Sequence, residues 1–214
     1  MLTLREMKEC VLENTLRAYA EGLFAGTSGN LSLMDEEGKL VAITPSSFPY
    51  EKMGIDDIMI IDSASGAVVE GKHKPSSEWR MHTAIMRGRP DVRGVVHTHS
   101  PYATSFAVLC MPIPLILIEM LAYIGGDIPL CEFELPGSDA LGAAVAATLK
   151  HRNACLMRNH GAVAVAATLD KAHQRAIYVE DAAKIYSLAL SVGQIKLIPD
   201  EAAAAIRKRL GLPD

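Results

Sequence analysis

Aromatic residues are scarce in this sequence, at 5% of 214 positions, while half of all residues are hydrophobic. Ala, Leu, Ile and Val must therefore fill the interior, and the length suffices for one well-buried core. Linkers are missing too. No Pro-, Gly- or Ser-rich tract, low-complexity run or internal repeat breaks the chain, so residues 1–214 read as a single domain. The cysteines, Cys10, Cys110, Cys131 and Cys155, are few and contain no C-x-x-C pair; they read as buried thiols in a reducing cytoplasm. The opening MLTLREMKEC carries charges where a secretion signal has its apolar core, which fits the same cytoplasmic expectation. The most apolar stretch, Met111–Leu121, holds two prolines and Glu119 and is too short and too broken to span a membrane. Basic clustering is lacking: the formal charge is −4 and the charges are scattered, which gives no footing to a sequence-independent nucleic-acid binder. There is neither a Gly-rich dinucleotide turn nor a Walker-type lysine loop, which speaks against nucleotide hydrolysis.

What is present is a mixture of helices and strands. Leu4, Met7, Val11, Leu12, Leu16 and Tyr19 recur at helical spacing over Leu4–Glu21, and Gly22 ends the run. Short apolar runs at Leu31–Leu33, Leu40–Ile43, Ile58–Ile61 and Ala67–Val69, bounded by turn residues, read as strands in hairpins. Helices are expected at Ser77–Met86 with Glu78 in the first turn, at Pro101–Leu109, at Ser138–Lys150, at Leu169–Leu190 and at Asp200–Leu210. Further strands are expected at Gly94–His99, Cys131–Glu134, Ala154–Met157 and Ala162–Ala166. No βαβ alternation is sustained, so helices on the faces of a mixed or antiparallel sheet fit best, an α/β fold.

The sharpest chemical signal is His97-Thr98-His99 at a strand end. Residues two apart on a strand point to one side, so both imidazoles can reach one ion. His160, in Arg158-Asn159-His160-Gly161 between two short strands, is the best third ligand. The plainer alternative is that these are core or surface histidines. His73, His82, His151 and His173 read as structural or solvated, His173 on an exposed helix turn. Three hydroxyl-rich turns accompany the histidines: Gly26-Thr27-Ser28-Gly29-Asn30, Thr44-Pro45-Ser46-Ser47 and Lys74-Pro75-Ser76-Ser77-Glu78. Singly each is a turn or an N-cap. Together, beside a metal, they suggest a phosphorylated ligand held by hydroxyls and free backbone N–H groups. Glu119, alone in an apolar run, is either an interface or salt-bridge residue or a catalytic acid.

These five motifs, in this order and across nearly the whole chain, resemble the class II aldolase/adducin-like family, closest to its L-fuculose-1-phosphate aldolase branch. The interval from His99 to His160 is similar to that branch. The resemblance implies a three-layer α/β/α sandwich around a mainly antiparallel nine-stranded sheet. It also implies a cytoplasmic homotetramer with active sites between neighbouring subunits. It assigns His97, His99 and His160 as Zn²⁺ ligands and Glu78 as catalytic acid/base that touches the metal when substrate is absent. Thr27, Gly29, Asn30, Ser46, Ser47, Ser76 and Ser77 become the phosphate cradle. The implied reaction is reversible cleavage of a ketose 1-phosphate into dihydroxyacetone phosphate and an aldehyde. Candidate substrates are L-fuculose, 5-deoxyribulose or 5-methylthioribulose 1-phosphate.

Two departures stand out. Ser46-Ser47 replaces a frequent Thr-Gly, though Ser47 keeps its backbone N–H. Glu119 lies where the branch places a tyrosine from the neighbouring subunit, with Tyr123 nearby but out of register. A glutamate there is similar to the methylthioribulose-1-phosphate dehydratase and pentulose-phosphate epimerase branches, which form the alternative reactions. A non-catalytic adducin-like oligomerisation module is the alternative without chemistry.

Overall fold

A computed structural model describes residues 2–212. The chain begins with helix α1 (Leu4–Ala20), closed at its start by a reciprocal capping box between Thr3 and Glu6. A meander follows: β1 (Asn30–Met34), β2 (Leu40–Ile43), β3 (Met59–Asp62) and β4 (Val68–Glu70). Next come α2 (Trp79–Gly88), β5 (Gly94–Thr98) and α3 (Pro101–Val108), which opens on a proline whose missing N–H is harmless at that position. After a π-helical turn at Met120–Ile124 the chain forms β6 (Leu130–Cys131), α4 (Asp139–Thr148), β7 (Ala154–Met157), β8 (Gly161–Ala166), α5 (Leu169–Val192) and α6 (Asp200–Leu210).

The strands form one sheet in the order β4-β3-β2-β1-β5-β8-β7-β6, with every pairing antiparallel except β6 with β7. The described sheet thus has eight strands rather than nine. Because side chains alternate across a strand, each strand feeds two cores. Leu31, Leu33, Val96, Ala162, Ala164 and Ala166 pack with α1, α3 and α5 residues such as Met7, Phe106 and Ala176 on one face. Val41, Ile43, Val95, Val163 and Val165 pack with Met81, Ile85, Leu141 and Val145 from α2 and α4 on the other. Helices on both faces make the three-layer sandwich.

Local boundaries shift in ways that matter. The helix expected from Ser77 starts at Trp79, with Glu78 as its N-cap instead of inside the first turn. That leaves the Glu78 side chain outside the helical spiral, where it projects from the end. β5 stops at Thr98, so His99 lies one residue beyond the strand. Among the thiols, Cys131 and Cys155 are buried as expected, but Cys10 is half-buried and Cys110 exposed. His173 is not exposed: it is buried between α1 and α5, its ring bridging Asn14 Oδ1 at 3.1 Å and Glu21 Oε2 at 2.7 Å.

The hydroxyl-rich turns are tied together by backbone hydrogen bonds. Ser46 N–H donates to Lys74 O at 2.9 Å and Ser76 N–H to Thr44 O at 3.0 Å. The segment that leads into Ser76 is anchored by Asp57, which accepts from Gly54 N–H (2.8 Å), His73 Nε2 (2.8 Å) and Lys72 Nζ (3.1 Å). Burial alone would raise this carboxyl, but those three donors hold it down at about 2. The folded value lies below the unfolded one, so the stabilisation is present above about pH 4 and is lost as pH falls toward 2. Asp57→Asn is expected to cost about 1–2 kcal/mol at neutral pH, with the difference from the parent closing in acid. Urea midpoints measured at several pH values check this.

Candidate active site

Antiparallel register brings the first ligands together. On β5, His97 shares the α2 side of the sheet with Val95, and its register partner on β1 is Asn30. His97 is fully buried, and its Nδ1–H donates to Ala162 O at 3.0 Å. That bond keeps a proton on Nδ1 and turns Nε2 toward the site, so Nε2 is the nitrogen free to bind an ion. His99 Nε2 lies 3.0 Å from His97 Nε2. His160 arrives from the β7–β8 turn, where Asn159 takes φ +54° and His160 N–H closes the turn on Met157 O at 3.0 Å. Gly161 is required there, because a Cβ would sit 2.2 Å from Thr98 O. One ligand atom from each of His97, His99 and His160 lies within 4.8 Å of the others. The three histidines singled out in the sequence are thus brought together at one place.

Glu78 faces this triad. Its Oε2 is 3.2 Å from His97 Nε2 and its Oε1 is 3.4 Å from His160 Nε2. Asn30 Nδ2 donates to Oε2 at 2.9 Å, whereas Oε1 is buried with no hydrogen-bond partner. Burial alone would raise the Glu78 carboxyl, but His97, His160 and the Asn30 amide hold it well below the usual carboxylate range. Burial, together with the neighbouring imidazoles, pushes His99 down to about 3. His160 falls to about 4 through burial and the nearby His97. Burial alone would lower His97, but the Glu78 carboxylate beside it holds it above the ordinary histidine value. The site is therefore a carboxylate paired with His97, beside neutral His99 and His160. Three imidazole nitrogens within reach of one another, beside a buried carboxylate oxygen without a hydrogen-bond partner, fit a divalent cation of the zinc type.

All three hydroxyl-rich turns meet beside the histidines. A cavity of about 220 Å³ is lined by Thr27, Gly29, Ser46, Ser47, Ser76 and Ser77, with Glu78, His99 and His160 at one end. Asn30 reaches the same cavity, but its side-chain amide is engaged by Glu78 and His82. Ser76 Oγ accepts from Glu78 N–H at 3.2 Å, so its hydroxyl proton stays available to a ligand. Ser47 holds φ +54°, a left-handed conformation that explains why glycine suits this position. Gly29 is equally constrained, at φ +83° and pressed against the Phe24 ring and His97 O. The loop therefore lies directly on the ligand strand.

Glu119 does not join the site of its own chain. It is exposed, immediately ahead of the π-helical turn, and solvent pays the cost of its charge in an apolar run. Tyr123 is stacked on Tyr178 with ring centroids 4.0 Å apart. The residue that sequence reasoning passed over is His82, read as structural or solvated. It is fully buried one helical turn beyond Glu78 and bonded to Asn30 and Ser32. Its spacing of four from Glu78 on a helix was the available signal.

Comparison with known proteins agrees with this geometry. Residues 10–187 match the family described as Class II Aldolase and Adducin N-terminal domain. A 5-deoxy-D-ribulose 1-phosphate aldolase of Bacillus thuringiensis is 35% identical over 209 residues, covering 98% of this chain and 97% of the relative. An L-fuculose phosphate aldolase of Escherichia coli is 36% identical over 200 residues, covering 93% and 91%. A 5-methylthioribulose-1-phosphate/5-deoxyribulose-1-phosphate aldolase of Rhodospirillum rubrum is 38% identical over 188 residues, covering 87% and 83%. A solved L-fuculose 1-phosphate aldolase superposes with a TM-score of 0.90 at 35% identity, covering 96% of both chains. No described helix is long and apolar enough to cross a membrane. By its family match, its motifs, its sandwich and its histidine cluster, the chain belongs to the class II aldolase and adducin family.

Proposed function

We propose that this aldolase uses Zn²⁺ to cleave a ketose 1-phosphate, of the 5-deoxyribulose, 5-methylthioribulose or L-fuculose type, reversibly into dihydroxyacetone phosphate and an aldehyde. One observation carries the reading: His99, His160 and Glu78, clustered with the buried His97, close one end of a cavity whose other end is hydroxyl-lined. His97, His99 and His160 would hold the ion, with Glu78 as fourth ligand until substrate enters. When bound, Zn²⁺ supplies Lewis-acid stabilisation of the negative charge that develops on substrate oxygens.

The chain's own residues do the rest. Thr27, Ser46, Ser47, Ser76 and Ser77 seat the phosphate with hydroxyl and backbone N–H donors, which sets how far the reacting carbons reach toward the histidines. In the synthetic direction Glu78, a carboxylate, removes a proton from C3 of dihydroxyacetone phosphate. The electron pair of that C–H bond moves toward the C2 carbonyl and then forms the new C3–C4 bond. In cleavage the C3–C4 pair returns to C3, which takes its proton back from Glu78. The aldehyde oxygen gains a proton on synthesis and gives one up on cleavage. Since Glu119 is exposed on its own chain, we assign that exchange to Glu119 of a neighbouring copy in a homotetramer, with Tyr123 as the nearby alternative.

The test is cleavage of L-fuculose, L-rhamnulose, 5-deoxyribulose and 5-methylthioribulose 1-phosphates, coupled to detection of dihydroxyacetone phosphate, before and after chelation and Zn²⁺ readdition. Zn²⁺-dependent release from at least one substrate, weakened by Glu119→Gln, is the expected result. A dehydrated diketone or an isomer as sole product would overturn the cleavage reaction. Full activity of Glu119→Gln on every cleaved substrate would remove Glu119.

A further inference from the structure

Two sequence spacings meet across the α2–β1 contact. Asn30 and Ser32 are two apart on β1 and share a face of the sheet. Glu78 caps the start of α2, His82 lies four residues on, and both side chains reach Asn30. The four side chains make one buried chain of hydrogen bonds. Ser32 Oγ is 2.6 Å from His82 Nδ1, His82 Nε2 is 2.5 Å from Asn30 Oδ1, and Asn30 Nδ2 is 2.9 Å from Glu78 Oε2.

The chemistry of the groups fixes the direction of every bond. A carboxylate only accepts, so the Asn30 amide must turn its NH₂ toward Glu78 and its oxygen toward His82. An amide oxygen only accepts, so His82 carries its proton on Nε2. The ring is fully buried and held neutral, since burial pushes it down to about 3. Its Nδ1 is then an acceptor, and the Ser32 hydroxyl donates to it. The opposite orientation would aim the Asn30 oxygen at the Glu78 carboxylate. The consequence lies at Glu78: Oε2 is taken by Asn30, with His97 at 3.2 Å, while Oε1 has no hydrogen-bond partner.

We propose that Ser32, His82 and Asn30 form a positioning relay that holds Glu78 by Oε2, so that Oε1, the oxygen left without a hydrogen-bond partner, is turned to the metal and the substrate. Asn30 then serves chiefly the carboxylate and only secondarily the phosphate cradle. The relay rests on the aldolase reading for its effect on turnover. It rests on the histidine site alone for its effect on metal binding, and this separates the two.

The experiment compares the parent chain with His82→Leu and with His82→Gln, whose amide restores a donor toward Asn30. Nitrogen-15 imidazole NMR of the parent chain should show His82 as the Nε2–H tautomer. Competition against a chelating dye should show Zn²⁺ affinity lowered about 10–100-fold in His82→Leu and within about threefold of the parent in His82→Gln. For the best ketose phosphate, kcat should fall about 10–100-fold in His82→Leu, with KM nearly unchanged, and recover in His82→Gln. An Nδ1–H tautomer overturns the relay, as does a folded His82→Leu with parental Zn²⁺ affinity and kcat. If His82→Leu does not fold, the tautomer and the His82→Gln affinity still decide, a loss in His82→Gln as large as 10-fold counting against the relay. If the parent cleaves no ketose phosphate, the aldolase reading fails while the tautomer and Zn²⁺ affinities still judge the relay.

Discussion

Replacing His99 by Ala is expected to strip the protein of bound Zn²⁺ and to lower ketose-phosphate cleavage by about 10³-fold or more, equivalent to about 4 kcal/mol of lost charge stabilisation. His99 suits the test better than His97. His97 is fully buried and tied to Ala162, so its loss would also open the core, whereas His99 is half-buried and lies just past the strand. His97 and His99 turn ring nitrogens toward each other at 3.0 Å, beside a third imidazole. Removing one of three crowded bases should leave the metal-free fold nearly as stable. The melting temperature of the chelated variant should therefore stay close to that of the chelated parent. Zn²⁺ should raise the parent's melting temperature with ligand concentration and leave the variant's unchanged. Metal content after dialysis, melting curves with and without Zn²⁺, and initial rates make the check. A variant that kept both metal and rate would move the metal centre elsewhere.

Glu78→Gln carries the second large effect. The substitution keeps the shape and the hydrogen bond from Asn30 but removes the base, and general acid–base contributions of this kind are worth about 10²–10⁴ in rate. The affected step can be isolated from the aldehyde. In D₂O, with dihydroxyacetone phosphate alone, the parent should exchange a C3 hydrogen for deuterium, and Glu78→Gln should slow that exchange by the same factor as cleavage. Zn²⁺ content should persist, because three imidazoles remain. Equal loss of exchange and of metal would instead make Glu78 chiefly a ligand. Proton NMR of the C3 signal and metal analysis on the same samples distinguish the two outcomes.

Much of this is legible in the sequence alone. α6 (Asp200–Leu210), β2 (Leu40–Ile43) and β7 (Ala154–Met157) lie where the sequence puts them. The two strands are almost wholly buried, so their apolar runs are strong, whereas α6 buries Ala203 and carries acidic residues in its first turn and basic ones in its last. The shifts cluster at the site. Glu78 sits outside the helix as its N-cap, and His99 sits past the end of β5, since ligands at element ends are freed from the regular spiral or pleat to turn toward a common point. His173 was misread because an imidazole on a polar-looking helix turn gives no sign of the Asn14 and Glu21 that α1 brings to it.

The sequence by itself determined which chemistry is available. His97 and His99 two apart near a strand end, His160 beside an obligatory glycine, and three hydroxyl turns in order depend on local geometry, and local geometry is written in nearest neighbours. Tertiary structure alone decided who meets whom. The pairing of β1 with β5 set Asn30 against His97, and the docking of α2 set His82 on Asn30 and Ser32. The exposure of Glu119, which removes it from its own chain's site, was likewise decided only there. The reason is physical. Such contacts join residues dozens of positions apart, and their geometry follows from how whole faces pack, which no short stretch of sequence contains.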